Sequence, residues 1–165
     1  MLLALALTTA CSPEPAPTPT PTGFGSEEEA FAAAEATYRA YVDALNEVEF
    51  DDPTTFEAVL AWTTGAANAA DREDFSQYHA DKMTLEGEFA VASFAADSWN
   101  QSSTAVGANA CLDVSGTQIV DADGVSTVSP DRAPIVAVRV DLVEGDTTTG
   151  MVISNVTARE STQSC

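Results

Sequence analysis

The chain contains one histidine, His79, with Ser76 three residues before it and Asp74 and Asp81 close by. Those are the residue types from which a nucleophilic hydrolase is built. Their spacing argues against one. Side chains at i and i+3 of one helix rarely aim an imidazole at a hydroxyl, no nucleophile-elbow glycines surround Ser76, and no segment supplies oxyanion donors. His79 reads instead as a helix-capping or surface residue. A second chemistry, proton transfer inside a cavity, needs a carboxylate, tyrosine or histidine shielded from water. Tyr38, Tyr41, Asp71, Asp74, Tyr78 and His79 are the candidates. The tyrosines fall on an apolar helical stripe, and Asp71 and Asp74 fit a solvated helix face. No catalytic residue is therefore assigned, and Tyr38, Tyr41, Tyr78 and His79 are retained as cavity residues. Asp121 and Asp123 beside Gly124 form an ordinary hairpin without the downstream Glu of a calcium loop. Two distant cysteines and one histidine are too few for zinc. Neither a metal nor a cofactor is expected.

Cys11 carries a different chemistry. It follows Leu7-Thr-Thr-Ala10 and precedes a Pro/Thr-rich run, the pattern of a bacterial lipoprotein cleavage site. This implies export, removal of residues 1–10 as a signal peptide, and acylation of the Cys11 sulfur, with palmitate as a fitting acyl group. Thr8 stands where an aliphatic residue is usual, and no basic residue precedes Arg39, so a start upstream of Met1 is expected. The alternative is a plain secretory signal with an incidental cysteine. No other apolar run reaches the roughly 18 residues of a membrane-spanning helix. With Cys11 lipidated, Cys111 and Cys165 remain as an even pair in an oxidising compartment, where a disulfide is the default expectation. It would pin the last residue to a mid-domain strand.

The charge balance narrows the partners: 26 Asp and Glu against 6 Lys and Arg, a formal net charge of −20. Such a surface repels phosphate backbones and anionic headgroups, which excludes nucleic acid and direct docking on lipid. A cationic or neutral partner fits it, as does plain solubility of an exported domain.

These residues must be positioned by the elements around them. Residues 12–25 alternate Pro with small residues, which favours extended polyproline II. At about 3.1 Å per residue this tether holds the domain roughly 40 Å from Cys11. Ser26 followed by Glu27, Glu28 and Glu29 is a capping-box start. Phe31, Ala34, Tyr38, Tyr41, Leu45 and Val48 then keep a 3-4 spacing that predicts a long amphipathic helix. Asp52-Pro53 opens a short second helix with Phe56, Val59, Leu60 and Thr63, stopped by Gly65. A third runs over 66–82, with Ala67, Ala70, Phe75 and Tyr78 inward. Beyond Met83, residues 84–94, 105–114, 117–120, 125–128, 135–143 and 150–158 are rich in Val, Thr, Ile and Phe with period-two stretches, and predict strands. Asp121-Ala-Asp-Gly124 and Glu144-Gly-Asp146 supply turns.

Three helices followed by antiparallel strands give one α+β domain over 26–165, its helices packed on one face of a curved sheet. That is the cone-shaped, nuclear-transport-factor-two-like or cystatin-like architecture. Tyr38-Arg-Ala-Tyr-Val-Asp-Ala-Leu45, Trp62-Thr-Thr-Gly65, Ala69-Ala-Asp-Arg72, Ala110-Cys-Leu-Asp-Val114, Val128-Ser-Pro-Asp-Arg132 and Ser164-Cys165 resemble a family of small actinobacterial lipoproteins. The resemblance covers nearly all of 26–165. It implies the outer face of the cytoplasmic membrane and the fold class, and it hands over no catalytic residue.

The resulting expectation is a membrane-tethered extracytoplasmic module, anchored through Cys11, that binds a small ligand or another envelope protein. The alternative is a small-molecule acid–base enzyme working in the cone cavity. A module should have an apolar or closed cavity without a perturbed acid. An enzyme should bury a carboxylate or histidine facing an open pocket.

Overall fold

The computed structural model describes residues 23–159 and 165. Cys11, the leader 1–10 and most of the tether lie outside the described residues. Helix α1 spans Glu27–Asn46. Its entry is fixed from both sides, because Ser26 Oγ accepts from the Glu29 amide at 3.2 Å while Glu29 Oε2 accepts from the Gly25 amide at 2.9 Å. Three glutamates in the first turn also complement the positive end of the helix dipole. The deepest row is Ala30, Ala34, Thr37, Tyr38 and Val42, with Phe31, Tyr41 and Leu45 partly buried beside it. Small alanines at the start of that row let the helix approach the sheet closely.

A 3-10 turn, Pro53–Thr55, leads into the short helix α2, Phe56–Leu60. Asp52 caps the turn, its Oδ1 accepting from the Thr54 amide at 3.0 Å and the Thr54 hydroxyl at 2.7 Å. Helix α3 covers Gly65–Ala80, so Gly65 opens this helix where the sequence predicts a stop. The reason is β-like pairing just before it. The Ile153 amide donates to Trp62 O and the Thr64 amide to Ile153 O, both at 2.8 Å. The chain must then turn sharply, and Gly65 does so at φ +54, where a Cβ would lie 3.2 Å from the Ser154 carbonyl oxygen. Helix α3 also ends two residues short of the predicted Lys82, which sits at φ 55.

Six strands follow: β1 Thr84–Glu86, β2 Ala90–Asn100, β3 Ala105–Asp113, β4 Gln118–Val120, β5 Ile135–Glu144 and β6 Met151–Ala158. One antiparallel sheet has the order β2-β3-β5-β6, and β1 pairs with β4 in a separate two-stranded ribbon. Two predicted strands are corrected. The stretch 84–94 is divided at Gly87 (φ +80), where a side chain would collide with the Gly116 backbone, and its second part runs on to Asn100. The stretch 125–128 forms only one bridge, Ser126 to Val120, because Asp121 Oδ1 draws in the amides of Asp123 and Val125 at 3.0 and 2.9 Å and closes a tight turn. Val125 is left 60% exposed.

Strand alternation places Val106, Ala108 and Ala110 of β3 and Val138, Val140 and Leu142 of β5 on the face that meets α1, together with Met151 and Ile153 of β6. A second cluster joins Val48, Phe50, Phe56, Val59, Leu60 and Phe75. Each such fully buried side chain stabilises by about 1.5–3 kcal/mol. Register shifts at Val91/Ser93 and Ala96/Ser98 bend β2, since a bulge kinks and twists its strand. They also swing Asp97 outward to Arg139 Nη1 at 2.6 Å and Asn109 Nδ2 at 2.7 Å. Cys111 and Cys165 stand with Cα atoms 5.6 Å apart and their sulfurs at disulfide-bonding distance.

Candidate functional site

Between the two apolar clusters lies a pocket of about 180 Å³. Helix α1 contributes Tyr41 and Leu45, the segment after it Val48 and Phe50, and α3 contributes Asp71, Asp74, Phe75 and Tyr78. The α3 residues are spaced three and four apart, so they share one face. Leu85 of β1, Phe89 and Ile119 of β4 complete the lining. Two side chains fix its irregular walls. Asn46 clamps Phe89 in both directions, Oδ1 accepting from the Phe89 amide at 2.8 Å and Nδ2 donating to its carbonyl at 3.0 Å. His79 Nδ1 lies 2.7 Å from the Phe50 carbonyl; a carbonyl only accepts, so this nitrogen carries the proton and donates.

The polar centre is Asp71. Its Oδ1 accepts from the Tyr41 hydroxyl at 3.1 Å, while Oδ2 is screened from solvent and has no hydrogen-bond partner. Burial raises the proton affinity of Asp71, the Tyr41 bond and the nearby Thr63 oppose that rise, and the charge of Asp74 adds to it. The Thr63 hydroxyl also donates to the Leu60 carbonyl at 3.5 Å and accepts from Asn68 Nδ2 at 3.0 Å. Burial, reinforced by the charge of Asp71, also holds the Tyr41 phenol well above its usual range. Tyr78 is raised by burial and then by Asp74.

The candidates named from sequence separate cleanly. Tyr41 and Tyr78 line the pocket. Tyr38 does not; it is 2% exposed in the core beside Phe94, its ring pair at 5.6 Å, and burial pushes its phenol up to about 12. His79 is on the surface and braces the wall from behind. Ser76 is exposed, and among the described residues no hydrogen bond joins it to His79. Asp74 is exposed at the pocket, whereas Asp71 is not the solvated helix-face residue its spacing predicts, because Tyr41 of α1 covers it. Asn46 and Phe89 were not signalled by sequence: an asparagine near a helix end reads as a terminator, and its partner lies 43 positions away.

Two larger hollows carry less chemistry. One, about 410 Å³, is lined by Ser115, Gln118, Ser126 and Arg132 among others, and Arg132 Nη2 is already committed to the carbonyls of Val114 (2.6 Å) and Thr117 (2.7 Å). The other, about 340 Å³, runs along β2, β3 and β5, with Arg139 tied to Asp97 and Asp141.

No protein-family model matches the sequence, nor does any curated protein. Among solved structures, the intermembrane-space region of the chloroplast protein ARC6 superposes with a TM-score of 0.53 at 10% identity, covering 78% of this chain and 95% of that one. A Catenulispora acidiphila protein aligns at TM-score 0.49 and 18% identity, over 78% of this chain and 89% of its own. A proposed aromatic ring hydroxylase of Novosphingobium aromaticivorans aligns at 0.47 and 16%, over 81% and 96%. The last two overlap too loosely to argue from, and what the chain shares with the ARC6 region is its fold.

Proposed function

We propose that this chain is an extracytoplasmic domain of the nuclear-transport-factor-two-like cone class, tethered to the outer face of the cytoplasmic membrane through lipid on Cys11, and that its pocket binds a small ligand anchored by Asp71. One observation carries the reading: Asp71, a carboxylate whose proton affinity burial raises, lines with Asp74 a pocket whose other walls are largely apolar and aromatic.

The raised proton affinity of Asp71 favours a second reading, the acid–base enzyme, by the criterion of a perturbed acid facing a pocket. Against it stands the rest of the lining. The Tyr41 proton is already spent on Asp71, the lining residues include no Lys, Arg or His, and charge developing on an anionic intermediate would meet Asp74 instead of a stabilising donor. The test is to expose the purified domain to a small-molecule extract of its host envelope and identify what it retains by mass spectrometry. Retention of a species by the native chain and not by Asp71→Asn supports binding. Its consumption supports the enzyme, and equal retention by both chains contradicts the role of Asp71.

A further inference from the structure

We infer that the ligand the pocket selects is a small primary alkylammonium ion, its N–H groups on Asp71 and Asp74 and its hydrocarbon part against the aromatic walls. This rests on the pocket reading above and adds the ligand's charge and class.

Four features converge on that class. Asp71 lines the pocket beside the Tyr41 hydroxyl that donates to it, and an ionised carboxylate only accepts, so its complement must be a donor. Asp74 lines the same pocket one helical turn away, and no Lys, Arg or His is among the lining residues. An anionic ligand would meet two carboxylates without a counter-charge; a neutral one would leave both uncompensated. Next, Tyr41, Phe50, Phe75, Tyr78 and Phe89 supply five aromatic rings to a cavity of about 180 Å³. Aromatic walls attract cations and accept alkyl groups, and the volume lies below the roughly 300–1,000 Å³ of drug-sized sites, which favours a molecule with one short chain. Finally, the net charge of −20 concentrates cations around the domain before they reach the pocket.

An ammonium bearing N–H protons suits the two carboxylates better than a quaternary one, which has no donor to give them. Exposed carboxylates draw cations only diffusely, so a pocket-specific response distinguishes the site from general charge attraction.

The experiment titrates the soluble domain, followed by residue-resolved NMR at fixed ionic strength, with butylammonium chloride, tetramethylammonium chloride, 1-butanol and sodium butyrate. Butylammonium is expected to shift the amides of Tyr41, Asp71, Tyr78 and Phe89 saturably, at least about tenfold more tightly than butanol, with tetramethylammonium weaker and butyrate inert. Asp71→Asn should weaken butylammonium by about tenfold or more. Ile119→Trp, which fills the pocket and leaves both carboxylates, should abolish the response while the spectrum stays dispersed. Butanol binding at the same residues as tightly as the amine would overturn the inference and leave the pocket reading intact. Shifts by the amine that persist in Ile119→Trp would show diffuse surface attraction and overturn it as well. Silence of the pocket residues to all four compounds would overturn the inference; the envelope-extract experiment then decides separately whether the pocket reading survives.

Discussion

The hydroxyl of Tyr41, on α1, donates to Oδ1 of Asp71, on α3, at 3.1 Å, joining the two long helices that line the pocket. The bond lowers the proton affinity of Asp71 against the larger effect of burial, which raises it. Replacing Tyr41 with Phe removes that opposition, so the Asp71 carboxyl should titrate at a higher pH than in the native chain. Side-chain carboxyl carbon shifts followed over pH measure this directly. An unchanged or lower midpoint would mean the bond does not act on Asp71.

Asp71 should also cost the fold stability at neutral pH. A carboxyl whose proton affinity is higher folded than unfolded contributes stability that is complete below the unfolded value of about 3.9 and is lost as pH rises through its folded midpoint. Asn keeps an acceptor for Tyr41 and carries no charge. Asp71→Asn is therefore expected to unfold at an equal or higher temperature at pH 7, by no more than about 1 kcal/mol because the residue is only half-buried and its charge is screened. The advantage should vanish below pH 4. Thermal melts across pH check this, and a variant less stable at pH 7 than at pH 4, relative to native, would reverse the sign.

The Asn46 clamp should matter more to the pocket's wall than a surface amide does. Asn46→Ala removes two hydrogen bonds to the Phe89 backbone and leaves a partly buried amide and carbonyl unpaired, a loss of about 1–3 kcal/mol. Denaturant unfolding should register it, and hydrogen exchange at Phe89 should accelerate. His79→Ala removes one bond to Phe50 and is expected to cost less, about 1 kcal/mol.

The Cys111–Cys165 pair, 54 positions apart with Cα atoms at 5.6 Å, closes a long loop. In the chain-entropy account such a closure stabilises by about 4 kcal/mol. Cys165→Ser should lower the melting temperature by roughly 10 °C. Full alkylation of both thiols without reductant would contradict the bridge.

For the proposed anchor, native chain expressed in its host should take up labelled fatty acid and fractionate with membranes, and Cys11→Ser should do neither. Equal labelling of both would remove Cys11 as the lipid site.

Much of the scaffold can be read from local pattern, since the 3-4 row from Phe31 to Leu45 and the alternation Ile135-Val-Ala-Val-Arg-Val each report one buried face. What misleads is tertiary. Gly65 reads as a stop because nothing local reveals that Trp62 and Thr64 pair with Ile153. Residues 125–128 read as a strand because their β-branched side chains outweigh the turn chemistry of Asp121 in a short window. Tyr41 and Tyr78 are recognisable as cavity candidates, but Asp71 is indistinguishable from Asp74 by helical phase. Only the reach of Tyr41 from α1 to Asp71 on α3 covers one and leaves the other exposed. Leu85, Phe89 and Ile119 come from separate elements, and no sequence spacing links them to the pocket.

The claim that Asp71 anchors a ligand in this pocket is tested most directly by a fragment screen followed by NMR on the native domain and on Asp71→Asn. The expected result is a set of donor-bearing fragments that shift Tyr41, Asp71, Tyr78 and Phe89 in the native chain and lose those shifts in Asp71→Asn. Fragments that gather at the hollow lined by Ser115, Ser126 and Arg132, with the four pocket residues unmoved, would contradict it.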